Sequence, residues 1–198
     1  MGYNLGMKVY FVTKNKGKLL AAVNVFEKKG ITVLYTEKTY PEIQADSSLE
    51  IAKYTALQAA KDLGMPAIRE DHSIYINALG IPGPYMNYFE KKVPTSIILK
   101  ILKNFKDRSG YFEVATVYAE PNGKTIEYIF KVPFYITEKE KGNLQDGWPR
   151  IIALEREKRT LAEYPESERV NIWNKNYIKI AEELSSANGD HNIKHFGL

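Results

Sequence analysis

The sequence predicts an α/β fold, and three observations carry that prediction. Residues 8–13, KVYFVT, form a compact run of β-branched and aromatic residues, and a helical apolar pattern comes directly after it. The same order, strand then helix, repeats across residues 31–36 and 46–63. A third apolar run opens at Ala67-Ile68, and strand-type alternation resumes through Ile74-Tyr75-Ile76. Strands and helices alternating in this way build a sheet covered by helices.

Taken in order, Leu19, Leu20, Val23 and Phe26 share one face of the first helix, and Gly30 supplies its cap. The basic loop before it, TKNKGK at 13–18, suits phosphate. Helix N-terminal amides point at a ligand there, and Lys18 adds charge in the first turn. It is not a Walker A loop, which needs two glycines at fixed spacing before Lys-Ser/Thr. Standing alone, it reads as a lysine-rich surface turn. Residues 40–44, YPEIQ, form a short extended segment that carries Glu42. Asp46-Ser47-Ser48 then caps a helix whose inward stripe is Leu49, Ala52, Ala56, Ala59, Ala60 and Leu63, closed by Gly64.

The centre of the chain is 66–89, PAIREDHSIYINALGIPGPYMNYF. Its apolar opening ends abruptly at Glu70-Asp71, which reads as a strand end carrying two adjacent carboxylates. Buried carboxylates are costly unless a cation compensates them. Ligands in α/β proteins sit where strands end, so this is the place for a divalent metal or a general base. On spacing alone an acidic loop tip facing water fits equally well. Gly80 to Pro84 forces an irregular turn.

Pro94-Thr95 opens another helix, with Ile97, Ile98, Ile101, Leu102 and Phe105 inward. Residues 111–119 read as a long strand and Asn122-Gly123 as a hairpin turn before a second strand at 125–131. Pro133 interrupts that second strand, which points to an edge or a crossover, with a further strand at 132–137. Residues 142–150 are loop-like, and Pro165 begins a last helix with Val170, Trp173, Tyr177, Ala181 and Leu184 inward. The residues after Ser185 have turn and coil composition and read as a mobile tail.

Composition narrows the chemistry. The chain has 198 residues, 44% hydrophobic and 26% charged, enough for one domain or two lobes sharing a sheet. With no cysteine there is no disulfide framework and no thiolate chemistry. His72, His191 and His195 are too scattered for zinc, so any metal is a hard, oxygen-bound cation such as Mg2+. A net charge of +4 suits a polyphosphate ligand, although an excess of this size is ordinary solvated surface. No apolar run approaches a membrane span, and MGYNLGMKVYFV lacks the pattern of a signal peptide, so a cytoplasmic location is expected.

The run EDHSIYINALGIPGPYMNYF resembles the central motif of the inosine triphosphate pyrophosphatase (Ham1-like) family, with its acidic pair, Asn77-Ala78-Leu79 and Pro82-Gly83-Pro84-Tyr85. Thr13, Asn15 and Lys18 match the family's first motif, Thr-x-Asn-x-x-Lys, and Glu42 matches its acidic metal ligand. The resemblance covers about residues 8–180 and implies an elongated mixed β-sheet flanked by helices. It places the active site in a cleft between two lobes, usually of a homodimer, with no membrane or stable nucleic-acid partner. It also implies Mg2+-dependent hydrolysis of nucleoside triphosphates such as ITP, XTP and dITP to the monophosphate and pyrophosphate. Glu42 and Asp71 would hold the metal, Asp71 would activate the water, and Lys18, Thr13, Asn15, His72 and Arg169 would hold the substrate. Two departures concern the phosphates and the base. Thr55 stands where many members carry lysine, and Gly147-Trp148 is kept while Pro149 replaces the family's aspartate. Trp148 is then either a stacking platform or a core tryptophan. Asn174 and Lys175 occupy the positions of the base-reading His-Arg pair, and Trp173 that of a serine. Those losses leave two alternatives open: a catalytically retired relative that binds a nucleotide or RNA, and a pyrophosphatase for another nucleotide class.

Overall fold

The computed structural model describes residues 6–36, 38–143, 147–155 and 157–190. Asp146, the Val170 side chain, His191 and His195 lie outside the described residues. The described chain forms one mixed, seven-stranded sheet with helices on both faces, as the resemblance implies. The strands are β1 (Lys8–Phe11), β2 (Thr32–Tyr35), β3 (Ala67–Ile76), β4 (Ile81–Gly83), β5 (Ser109–Ala119), β6 (Thr125–Ile136) and β7 (Ile152–Leu154). The helices are α1 (Lys16–Phe26), α2 (Ser48–Leu63), α3 (Met86–Lys92), α4 (Thr95–Ile101), α5 (Glu166–Ile172) and α6 (Lys175–Asp190). The strand order is β2-β1-β3-β5-β6-β7, with β4 on β3.

One feature of β3 organises the molecule. The strand does not end at Glu70-Asp71 but runs unbroken for ten residues, hydrogen-bonded to β5 along its whole length. Its other edge pairs with β1 only at Ala67 and Ile68, and with β4 only at Ile74 to Ile76. Between them, residues 69–73 have no strand partner on that edge among the described residues. The continuous β5 ladder keeps a charged segment extended, and the open edge lets its polar groups face a cleft.

Three apolar clusters surround this gap. Ala21, Ala22 and Phe26 of α1 meet Tyr177, Ile180 and Ala181 of α6 on one face of β1 and β3. The small residues of α2, Ala52, Ala56, Ala59 and Ala60, let it pack closely on the other face. The third cluster joins Ile74 and Ile76 to Ile98, Leu102, Phe112, Phe134 and Trp148.

Several expectations are corrected. The inward face of α1 is Ala21, Ala22 and Phe26, whereas Leu20 is exposed. Ile98 and Leu102 are buried, but Ile97, Ile101 and Phe105 face outward. Pro133 does not break β6: the Pro133 carbonyl accepts from Glu155 just where the β7 ladder stops at Phe134. Its missing N–H falls on that same edge, at the end of the β7 ladder, and leaves the pairing with β5 on the other edge intact. The last helix is two, α5 and α6, broken at Trp173-Asn174, and α6 continues to Asp190, so residues 186–190 are helical. No helix among the described residues is long and apolar enough to cross a membrane.

Candidate active site

The period-2 geometry of β3 sorts its charged run by face. Arg69 and Asp71 point to the α2 side, while Glu70 and His72 point to the α1 and α6 side. Both pairs border the cleft opened by the missing strand partner.

Glu70 is the buried hub of one side. It is 3% exposed, and its carboxylate sits 2.6 Å from His72 Nε2 and 3.4 Å from Lys18 Nζ. Thr116 Oγ1 donates to its second oxygen at 3.3 Å, and Asn176 donates in turn to Thr116 at 3.1 Å. Burial pushes the Glu70 carboxyl up, but His72 and Lys18 outweigh it and hold it at about 2. Burial and Lys18 push His72 below the usual imidazole range, Glu70 opposes this, and the His72 Nε2–H donates to the ionised Glu70. Burial beside Glu70 also pushes the Tyr177 phenol well up.

Lys18 reaches this hub from the first turn of α1. Asn15 is the N-cap, its Oδ1 accepting from the Gly17 and Lys18 amides at 2.9 and 3.1 Å. Thr13 Oγ1 accepts from the Asn15 amide at 3.0 Å. These side chains therefore shape the loop and use up three of its amides, leaving the Lys14 and Lys18 ammonium groups as its charged contribution to the cleft.

On the α2 side, burial pushes Asp71 up to about 6; Glu42 and Glu70 add to this, and Lys18 and Arg69 oppose it. Glu42 projects from the irregular segment between β2 and α2. Lys38 and Tyr40 anchor that segment, each bonded to Asp62 at 2.9 Å. Arg69 holds Glu42 at 2.9 Å. No group of three or more His, Asp or Glu side chains among the described residues is arranged to hold a metal. That donor set still fits Mg2+, which takes one or two carboxylates and completes its shell with water and substrate phosphate. Burial pushes the Asp71 carboxyl up, and a bound divalent cation would hold it ionised.

The cleft has two chemically distinct parts. A polar cavity of about 740 Å³ is lined by Thr13, Lys18, Glu42, Arg69 and Asp71. An apolar chamber of about 360 Å³ adjoins it, lined by Ile74, Met86, Phe112, Trp173, Leu161 and others, and sharing Asn15, Lys18, His72, Met86 and Glu90 with the polar part. Trp173 stacks edge-on to Phe112 at 4.9 Å and lies 5.3 Å from the His72 ring. Arg169 lines this chamber, and its buried Nε finds no acceptor among the described residues.

The positions expected to read a base fall differently. Trp148 is 2% exposed, its indole N–H bonded to the Val93 carbonyl at 3.1 Å, and from this core position it also forms part of the chamber wall. Asn174 bonds Asn171 at 3.4 Å, and Lys175 lies 5.5 Å over the Phe130 ring; neither lines either cavity. The kink between α5 and α6 turns Trp173 inward and these two away.

Known proteins share this fold. The Ham1 family model matches residues 9–176. The chain belongs to the Ham1 family. It is 36% identical over 167 residues to the dITP/XTP pyrophosphatase of Methanopyrus kandleri, covering 84% of this chain and 89% of that one. It is 33% identical over 185 residues to the dITP/XTP pyrophosphatase of Saccharolobus solfataricus, covering 91% and 95%. A solved HAM1 protein from Coxiella burnetii has the same fold, with a TM-score of 0.76 at 23% identity over 93% of this chain and 99% of that one.

Within this Ham1 site, sequence reasoning singles out Thr13, Asn15, Lys18, Glu42, Asp71 and His72, and all six line the polar cavity. It passes over Arg69, Glu90 and the Phe112–Trp173 pair. For Arg69 a signal exists: two residues before Asp71 in a strand means the same face. Glu90 gives no such signal, because α3 is hidden behind the Gly-Pro turn.

Proposed function

We propose that this Ham1-family chain is a Mg2+-dependent pyrophosphohydrolase of purine nucleoside triphosphates such as dITP and XTP, releasing the monophosphate and pyrophosphate. The observation that carries the proposal is the junction of a polar cavity holding Lys18, Glu42 and Asp71 with an apolar chamber of base size. The named activity of its relatives supports the same reading.

The triphosphate lies along the polar cavity, with Lys18 at its oxygens and Glu70 fixing the lysine's position. Glu42 and Asp71 are the residues that would hold Mg2+, which when bound neutralises charge developing on the attacked phosphorus. Asp71 accepts the proton of the attacking water; a carboxylate raised toward neutrality is suited to that task. The base enters the chamber against Trp173, and the Arg169 guanidinium meets its polar edge. Arginine is matched to the O6 and N7 acceptors of a 6-oxo purine and not to the 6-amino group of adenine. A homodimer in the cytoplasm is part of the same reading.

The test is a panel of nucleoside triphosphates with Mg2+, scored for pyrophosphate and for orthophosphate. Stoichiometric pyrophosphate from ITP or XTP is expected. Orthophosphate as the primary product refutes the mechanism, and binding without turnover across the panel establishes a retired relative.

A further inference from the structure

We infer that Arg69 is a phosphate-binding residue of the cleft, held on Glu42 in the resting protein and transferred to the triphosphate when metal takes Glu42. The inference rests on the reading of the site given above and adds a residue to it.

Charge balance in the polar cavity points this way. Among the described residues it is lined by four cations, Lys14, Lys18, Lys38 and Arg69, and four carboxylates, Glu42, Glu70, Asp71 and Glu90. A lining that is neutral overall has no net attraction for a triphosphate. Lys38 is paired with Asp62 at 2.9 Å, and Lys18 shares its charge between the cavity and buried Glu70 at 3.4 Å. From α2 the cavity receives only Ile51 and Thr55, neither of them charged. Arg69 differs because its acidic partner is one of the two carboxylates suited to metal. A divalent cation on Glu42 and Asp71 therefore reverses the balance and leaves the guanidinium without its partner at the same moment.

The geometry of the pair favours this exchange. The Arg69 side chain is 15% exposed and its Nη1 donates to the Val12 carbonyl at 3.2 Å, fixing it at the end of β1. Glu42 is 69% exposed and stands on a segment without regular structure, so the carboxylate is the member free to move. An ion pair with one member so exposed contributes little. The buried Arg69 Nε has no acceptor among the described residues, so the fork holds unused donor capacity. Planar, bidentate donation to phosphate is what a guanidinium does best.

Arg69 thus opposes metal binding in the free protein and promotes phosphate binding in the complex, and these opposite signs make the test. Titration calorimetry on the full chain measures Mn2+ alone, and then inorganic tripolyphosphate at saturating Mn2+. Arg69→Met, which keeps the stem and removes the charge, is expected to bind Mn2+ several-fold tighter and tripolyphosphate roughly tenfold or more weaker, as loss of a charged hydrogen bond implies. Arg69→Lys, which keeps charge without the fork, is expected between the two and covers the case in which the methionine variant fails to fold. Tripolyphosphate affinity unchanged in both variants, or both ligands weakened together, overturns the inference and makes Arg69 a clamp on Val12. Wild-type protein that binds no tripolyphosphate overturns the inference and the proposed function at once; normal wild-type binding with unaffected variants overturns only the role of Arg69.

Discussion

Replacing Asp71 with asparagine is expected to stabilise the metal-free protein while abolishing turnover. Burial raises the Asp71 carboxyl from 3.8 to about 6, so above pH 6 the fold holds an ionised group against its preference. The folded state binds the proton more tightly than the unfolded chain, so stability falls as pH rises from about 4 to 6 and stays lowered beyond. The displacement corresponds to about 3 kcal/mol, trimmed to about 2 because Asp71 is partly open to solvent. For a chain of this size each kcal/mol moves Tm by roughly 2–4 °C, so Asp71→Asn should melt about 4–8 °C higher at pH 8. The gain should shrink as pH falls and approach zero below about pH 3, where both states of the wild type are protonated. Scanning calorimetry in chelator across that range measures it. Added Mg2+ should raise the wild-type Tm and leave the variant's unchanged, because only the wild type offers both carboxylates. Turnover should fall by roughly 10²- to 10⁴-fold. A variant that melts lower at pH 8, or gains equally at every pH, refutes the reasoning: Lys18 and Arg69 would then already compensate Asp71.

Glu70 is the opposite case. Held at about 2 against an ordinary 4.5, it stabilises the fold above pH 4.5 and that contribution is lost as pH falls toward 2. Glu70→Gln should lower Tm at pH 7, flatten the acid side of the stability curve and raise KM through the released Lys18; an unchanged acid limb in urea melts would argue against the hub. Trp148→Ala should cost roughly 3–5 kcal/mol of stability as a core truncation. Trp173→Ala should instead raise KM for nucleotides and leave tripolyphosphate binding alone, which competition assays distinguish. Arg169→Met should reduce the kcat/KM preference for ITP over ATP by roughly 5- to 150-fold, the worth of one bidentate arginine–base pair. Asn174→Ala and Lys175→Ala, outside both cavities, should leave that ratio within about twofold, whereas a loss of preference there would return base reading to the C-terminal segment.

The outer half of the fold was legible because local signals and tertiary demands agree. Ser47 caps a helix within the stretch whose side chains predict it, and Gly30 and Gly64 end helical segments at φ 72° and 63°. The failures share a cause, since each depends on a neighbour remote in sequence. The run Arg69-Glu70-Asp71-His72 looks like the end of a strand, yet β5 carries it onward as the middle of one. Leu20, Ile97 and Ile101 have the right residue type and spacing for burial, but Ala21 and Ala22 take the inward face of α1, and Ile98 and Leu102 that of the helix after Pro94. Trp148 could be placed in the core only once Glu90 and Val93, on either side of the unanticipated end of α3, were known to accept its backbone and indole N–H groups.

The two parts of the cleft place different demands on the chain, and this accounts for where it departs from the family motifs. On the proposed reading the polar part presents charges at fixed positions to a reacting phosphorus, where a misplacement of about an ångström is costly. It is built accordingly: Lys18 on a capped helix, and Glu70 and Asp71 on a strand paired along its length. The chamber mainly has to exclude water and accept a flat ring, and many apolar sets do that. Its wall can therefore exchange an aspartate for Pro149 and a serine for Trp173 without losing its shape, provided one polar group still meets the base. Arg169, reaching the chamber from α5 with an unused Nε, is placed to be that group. On the proposed reading, specificity in this chain rests on one guanidinium where a polar set would otherwise act. Such a site selects by tens to hundreds of fold, not by the roughly 10⁴–10⁵ that a fully paired polar pocket reaches.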